Sequence, residues 1–337
     1  MNFPDPAQLR SLTARRIWNL CKVAASYYTS RLTKRAWVSG YPVVLSIEPT
    51  SLCNLTCPQC PTGAGRLDRP QGYLSFDLYR EMLDDIGPYL THIQFFFQGE
   101  PFMHKQLPEM IRYAKDKNIY TITSTNGHFL TESTIRKILD AGLDVLIAGL
   151  DGVTPDVYLN YRKNGKFDKV VSGLQQLIKI RGQKKLNHPK VYLQFLVMKH
   201  NEDQIDAVRT FGRELNVDRV LIKTAQIYPD MEPSDFLPAD KRYSRYDLKD
   251  GKLVMNVPLP DYCRRLWTNA VFTWDGKLAS CCFDKNAEHN FGIWNGRPFG
   301  ELWKSDESMK FRRQVLRDRK SIEICSNCTE GIKEFRK

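Results

Sequence analysis

Cys53-Asn54-Leu55-Thr56-Cys57-Pro58-Gln59-Cys60 places three cysteines within one short loop, directly after the apolar run Val43-Val44-Leu45-Ser46-Ile47. A C-x3-C-x2-C loop this tight lets three thiolates converge on one point. Four ligands close a structural zinc site, and a cubic four-iron cluster has four irons to ligate. Three ligands leave one metal position open to a substrate or cofactor, which marks a chemical site. A disulfide framework and a zinc knuckle are the other uses of such a loop.

Outward from the loop, the chain alternates strand and helix patterns from Val43 to about Thr224. Apolar runs rich in β-branched and aromatic residues predict strands at 43–48, 93–97, 119–125, 144–150, 191–198 and 219–224. Between them, Tyr79, Met82, Leu83 and Ile86 share one helical face, closed by Gly87-Pro88. Ile135, Ile138 and Leu139 share another, closed by Gly142. Asn201-x-x-Gln204 has the form of a capping box opening a helix that buries Ile205, Val208 and Leu215. Six βα units in series predict an α/β fold with a parallel sheet and helices outside. The cysteine loop follows the first strand, so it lies at the C-terminal face where such barrels place their chemistry.

Further strand ends carry Gly99-Glu100-Pro101, then Ser124-Thr125-Asn126-Gly127, then Gly149-Leu150-Asp151-Gly152 with Tyr161-Arg162 beyond. With C-x3-C-x2-C after a first strand, this set resembles the radical S-adenosylmethionine (radical SAM) superfamily. The resemblance implies a partial (βα)6 TIM-like barrel. It implies a [4Fe–4S] cluster on Cys53, Cys57 and Cys60, whose open iron chelates SAM. It further implies reductive cleavage of SAM to methionine and a 5′-deoxyadenosyl radical that abstracts hydrogen from a substrate. By the same resemblance Gly99 and Glu100 hold the SAM ammonium, Asn126 lies near its ribose or methionine end, and Asp151 and Arg162 belong to the site. Arg162 suits the SAM carboxylate because a guanidinium grips a carboxylate bidentately. Gln98 replaces the first glycine of the family's Gly-Gly-Glu-Pro, and Gly149 stands where relatives have a serine that touches SAM.

A different pattern begins at Cys263. Val271-Phe272-Thr273-Trp274, Asp275-Gly276 and Lys277-Leu278-Ala279-Ser280 read as a hairpin with an Asp-Gly turn. Helical stretches near 299–304 and 307–318 follow, then Cys325-Ser326-Asn327-Cys328. C-x12-G-x4-C followed by C-x2-C resembles the SPASM and one-cluster twitch extensions of radical SAM enzymes. That implies a second, auxiliary [4Fe–4S] cluster on Cys263, Cys281, Cys325 and Cys328; a zinc ribbon is the other reading of four such cysteines. Cys282 competes with Cys281, and strand alternation predicts that only one faces the metal. Cys21 reads as a buried apolar residue. The expected division is 1–40, a basic helical extension; 41–225, the barrel; 226–262, a connecting segment with turns at Tyr228-Pro229-Asp230 and Pro258-Leu259-Pro260; and 263–337, the auxiliary domain.

The 337 residues carry a net charge of +12, and +6 of it lies in residues 1–38. Leu9, Leu12, Ile17, Leu20, Cys21, Ala24 and Tyr28 recur there at imperfect helical spacing. Two readings stand: a basic amphipathic helix on an anionic membrane, or an extra helix packed on the barrel with a solvated basic face. No recognition motif points to nucleic acid. With nine clustered cysteines, no run of 18 apolar residues and no secretory signal, a cytoplasmic protein is expected, peripheral to the inner face of the membrane under the first reading. The function expected is that of a radical SAM oxidoreductase fed by an electron donor such as flavodoxin or ferredoxin. The sequence nominates no general base; Lys223 is a candidate base or a salt-bridge partner. About forty residues before the first strand are too few for a separate peptide-gripping module, which favours a small polar metabolite, sugar- or aminocyclitol-like. Peptide or protein maturation is the alternative, a lipid-linked substrate goes with the membrane reading, and a non-catalytic iron–sulfur or zinc protein is the reading of another class.

Overall fold

The computed structural model describes residues 9, 11–227, 236–250 and 252–330. Strands β1 (Val44–Ile47), β2 (His92–Phe95), β3 (Tyr120–Thr125), β4 (Val145–Gly149), β5 (Lys190–Val197) and β6 (Arg219–Thr224) pair in parallel, each with its neighbour in sequence. They follow the expected runs to within two residues at each end. Crossover helices α2 (Phe76–Ile86), α3 (Leu107–Asp116), α4 (Glu132–Ala141), α5 (Pro155–Tyr161), α6 (Phe167–Gln183) and α7 (Ile205–Glu214) connect them. Tyr79, Met82, Leu83 and Ile86 of α2 are buried, as are Ile135, Ile138 and Leu139 of α4. Each such side chain contributes roughly 2 kcal/mol by leaving water.

Asn201 and Gln204 do not form the expected capping box. Asn201 makes no side-chain cap. Its Oδ1 accepts from Met198 N, while its Nδ2 donates to the carbonyls of Asp151 and Leu196. Gln204 Oε1 accepts from Val153 N. Both side chains therefore tie the loop after β4 to the end of β5. Asn201 turns back to the residues just before it and, like Gln204, to a loop some fifty residues upstream, a contact the local pattern could not show.

The C-terminal part extends the same sheet. Strands β9 (Asn269–Phe272) and β10 (Leu278–Ala279) form the expected hairpin, and β9 pairs in parallel with β1. At the other end of the sheet Asn327 Nδ2 donates to Ile227 O, just beyond β6. The C-terminal residues thus touch both edges of the open barrel. Helices α8 (Arg265–Thr268), α9 (Phe299–Trp303), α10 (Asp306–Asp318) and α11 (Glu323–Ser326) pack around the hairpin. Buried Arg312 of α10 lies 4.3 Å from the Trp303 ring and donates to the Leu266 and Trp303 carbonyls. Between β6 and Cys263 the sequence predicts only turns. Those at Pro258-Leu259-Pro260 belong to irregular chain, and Tyr228-Pro229-Asp230 lies outside the described residues. The segment also holds an antiparallel pair, β7 (Tyr246–Lys249) with β8 (Lys252–Met255). Its signal, Asp250-Gly251 between alternating residues, was present in the sequence.

The N-terminal helix α1 (Ala14–Thr33) is packed on the barrel, capped by Thr13, but with the opposite face to the one expected. Its buried residues are Arg16, Asn19, Val23, Ser26, Tyr27 and Ser30, whereas Leu9, Ile17, Cys21 and Tyr28 are exposed. Cys21 is therefore not a core residue. The physical reason is what the helix meets: the loops entering β1, β2 and β3 present backbone groups. Arg16 donates to the carbonyls of Ser11 (2.6 Å), Asn118 (2.5 Å), Lys117 (2.9 Å) and Gly87 (3.2 Å). Asn19 pairs with both backbone groups of Tyr41. Arg16→Ala should cost about 3 kcal/mol, since it strands buried carbonyls. Ile17→Ala should change stability by less than about 0.5 kcal/mol. Denaturant unfolding of the two variants checks this, and the reverse order would contradict the packing.

Candidate functional site

Because β1–β4 run in parallel, the segments that follow them meet at one end of the sheet. Cys53, Cys57 and Cys60 lie in the loop after β1, and none of the described cysteines is paired in a disulfide. Cys53 Sγ accepts from Leu55 N at 3.5 Å and from Asn126 Nδ2 at 3.8 Å. Asn126, just past β3, also donates to Asn54 Oδ1 at 2.8 Å. The third strand end is thus fastened to the cysteine loop.

Glu100 is buried at the end of the β2 segment. Its carboxylate accepts from Thr125 Oγ1 (2.8 Å), Asn126 N (2.7 Å) and Phe102 N (3.2 Å). Burial pushes its pKa up to about 7 against the pull of those hydrogen bonds. A carboxylate has about four acceptor sites, so one remains for a cation. Gly99 permits the turn: its φ is +72°, and an added Cβ would lie 2.3 Å from Thr50 O.

Asp151, after β4, is fully buried. Its Oδ2 accepts from Arg162 Nε at 2.6 Å and its Oδ1 from Leu196 N at 2.8 Å. Burial depresses the Arg162 pKa, but Asp151 and the neighbouring groups raise it on balance well above its usual value. Gly149 explains itself here. An added Cβ would stand 2.5 Å from Arg162 Nη2, so the glycine leaves room for the guanidinium. Glu48 and Arg69, near this site, were not singled out from sequence. Glu48, following β1, forms a buried bidentate pair with Arg69 at 2.8 and 2.5 Å and accepts from Trp274 N in the hairpin. Lys223 is exposed on β6.

The second set of cysteines also gathers. Cys263, Cys325 and Cys328 are buried, and Cys281 and Cys282 are partly so. A local motif recurs: the amide two residues on donates to the sulfur at Cys53 (Leu55), Cys263 (Arg265), Cys281 (Phe283) and Cys328 (Glu330). Such N–H donors stabilise thiolate charge. Cys282 accepts instead from Arg265 Nη1 at 3.8 Å. Strand alternation does not separate Cys281 from Cys282, because β10 ends at Ala279 and both lie in the bend beyond it. Each is close enough to Cys328 to raise its pKa, after the larger effect of burial. Burial likewise pushes the Cys57 thiol up to about 11 and Cys325 to about 12, so anionic ligation at either site needs a compensating metal charge.

Among the described residues no three His, Cys, Asp or Glu side chains lie close enough to share one metal ion. Free thiols, with amide donors at Cys53, Cys263, Cys281 and Cys328, fit thiolate ligation of a metal cluster at both positions.

Comparison with known proteins follows the same division. The radical SAM superfamily model matches residues 47–211, and the SPASM iron–sulfur cluster-binding domain matches residues 263–329. Fe-coproporphyrin III synthase of Methanosarcina barkeri is 29% identical over 333 residues, covering 83% of this chain and 78% of that protein. The tungsten-containing aldehyde ferredoxin oxidoreductase cofactor-modifying protein of Pyrococcus furiosus is 24% identical over 309 residues, covering 80% and 82%. Among solved structures, BtrN in complex with AdoMet and 2-DOIA has a TM-score of 0.53 at 19% identity, covering 87% of this chain and 95% of that one. Streptococcus suis SuiB bound to precursor peptide SuiA has a TM-score of 0.63 at 14% identity, covering 93% and 74%. Three cysteines at the head of a parallel α/β sheet and a cysteine-rich hairpin beside its first strand thus coincide with two matched domains: the chain is a radical SAM enzyme with a C-terminal SPASM iron–sulfur domain, whose cofactors are SAM and iron–sulfur clusters.

Proposed function

We propose that this enzyme oxidises a small polar metabolite at a C–H position, with Cys53, Cys57 and Cys60 holding the SAM-binding [4Fe–4S] cluster. Cys263, Cys281, Cys325 and Cys328 hold a second, auxiliary one. The observation that carries this reading is that Cys53, Glu100, Asn126 and the Asp151–Arg162 pair meet at the ends of four successive strands, with Cys57 neighbouring Arg162, Cys60, Asp151 and Cys53. When bound, the first cluster and SAM would supply a 5′-deoxyadenosyl radical able to take a hydrogen atom from a substrate carbon, and the auxiliary cluster would supply an acceptor for the one electron the substrate radical gives up as it loses a proton to solvent. An external one-electron donor of the flavodoxin or ferredoxin kind, in the cytoplasm, completes the requirement.

The chain's own residues bind and orient. Glu100 offers its remaining acceptor site to the SAM ammonium, close to the carbonyl-lined turn at Gly99. Arg162, held by Asp151, directs its outer N–H groups toward the SAM carboxylate. Asn126 fixes the cysteine loop and lies beside the nucleoside. The four amide-donated cysteines favour Cys281 over Cys282 as the auxiliary ligand. The two curated relatives are named for cofactor modification and porphyrin synthesis, which supports a small-molecule substrate. SuiB, a structural neighbour bound to its precursor peptide, keeps peptide modification as the second reading.

Anaerobically reconstituted protein should bind about eight irons as two four-iron clusters. Cys57→Ala should lose about four irons and all release of 5′-deoxyadenosine. Cys325→Ala should also lose about four irons but keep that release. Iron analysis with chromatography of the nucleoside decides, and a Cys57→Ala protein with a full iron load would refute the assignment.

SAM affinity of the holoprotein should depend on pH. Ionised Glu100 attracts an ammonium and protonated Glu100 does not. Binding should therefore weaken by about tenfold as pH falls through about 7. Glu100→Gln should bind weakly at every pH. Calorimetry across this range provides the readout; a flat wild-type profile would exclude a direct contact between Glu100 and the ammonium.

A further inference from the structure

Helix α1 sets a mixed side, Arg16, Asn19, Ser26 and Ser30 with Val23 and Tyr27, against protein and leaves an apolar stripe against solvent. Ile17, Trp18, Cys21, Tyr28 and Leu32 all lie on the outward side, with Trp18 64% and Leu32 83% exposed. At 100° per residue these positions, with Ala14, Ala24 and Ala25 between them, form one continuous stripe along the helix. Trp37, just past the helix, is exposed at the same end. Cations flank the stripe. Arg15 and Lys22 lie along one side, Arg31 along the other, and Lys34 and Arg35 follow the last turn. Lys22 stands 5.7 Å from the Trp18 ring and Arg31 4.1 Å from Tyr262. From Pro6 to Ile47 the sequence contains no Asp or Glu.

We infer that this outer face of α1 docks on the surface of an anionic lipid bilayer. An exposed apolar stripe bordered by lysine and arginine, with tryptophans at its margin, suits an interface that is apolar below and negatively charged above. No helix among the described residues is long and apolar enough to cross a membrane, so the contact is superficial. A second copy of the chain fits the charge less well, since its α1 brings the same cations and no carboxylate.

The packing also sets the orientation. Arg16, Asn19 and Ser11 bind backbone at Gly87, Lys117, Asn118, Tyr41 and Thr91, all before the strands they precede. The cysteine loop, Glu100, Asn126 and Asp151 follow those same strands. The docked face and the cofactor site are therefore at opposite ends of the barrel, and the site opens away from the lipid. A docked molecule takes its substrate from the aqueous side, not from within the bilayer.

Co-sedimentation of the full-length holoprotein with phosphatidylcholine vesicles, with and without phosphatidylglycerol, tests this. The wild type should bind the anionic vesicles at low salt and release at high salt. Trp18→Glu with Leu32→Glu should weaken binding by about tenfold or more, and Arg15→Glu with Lys22→Glu should remove its dependence on phosphatidylglycerol. These side chains are exposed, so iron content and circular dichroism should stay unchanged, which separates lost docking from lost folding. Quenching of tryptophan emission by brominated lipid should fall in Trp18→Phe. Absence of binding to either vesicle, or binding that survives both double substitutions, would overturn the proposal. So would a stable dimer abolished by Trp18→Glu without any vesicle binding.

Discussion

The buried carboxylate of Glu100 is the interaction on which the geometry of the site depends. It accepts two backbone amides and a hydroxyl drawn from the ends of two adjacent strands. One of those amides belongs to Asn126, whose side chain reaches the cysteine loop of a third strand. A single acidic group thereby fixes the relative positions of three loops that sequence places far apart. Asp151 repeats the device one strand later, holding Arg162 through one oxygen and the β5 backbone through the other. Burying such groups is costly unless every lone pair is used. Asp151 is met by a guanidinium and an amide, whereas Glu100, with two amides and a hydroxyl, keeps part of that cost and one acceptor site open to a cation.

A second constraint joins the two cysteine sets. The β9–β10 hairpin is not a separate sheet, because it continues the barrel sheet beside β1. Glu48 stands at that seam, bonded to Arg69 from the cysteine loop and to Trp274 from the hairpin. A change in the loop is thus felt directly by the C-terminal part, and the reverse. At the far edge Asn327, inside the C-x2-C segment, reaches the backbone beyond β6. The segment that carries the second cysteine set thus also touches both edges of the open barrel.

Much of this was legible in the sequence, and what was not has a common cause. Strand runs and the helical faces of α2 and α4 are local patterns, and they reappear as read. The glycine of Gly99-Glu100 was legible because only glycine tolerates that turn. Gly149 was noted as a departure, but its reason, the nearby Arg162 guanidinium, is a contact across thirteen positions. The α1 face was misread because periodicity finds an apolar stripe without saying which side meets protein; the partners proved to be backbone carbonyls, which select Arg16 and Asn19 instead. Asn201 and Gln204 failed in a related way, their side chains taken by the end of β5 and by the loop after β4 in place of the local cap. The pairing of β9 with β1 spans more than two hundred residues and leaves no local trace.

The central claim is that one cysteine set binds SAM at an open iron while the other is closed. Electron paramagnetic resonance of the reduced holoprotein, recorded with and without SAM, tests it most directly. The account predicts two overlapping four-iron signals, of which one shifts on adding SAM, and the shifting signal alone disappears in Cys60→Ala. A spectrum in which neither signal responds to SAM would contradict the claim. So would a SAM-dependent shift that survives in Cys60→Ala.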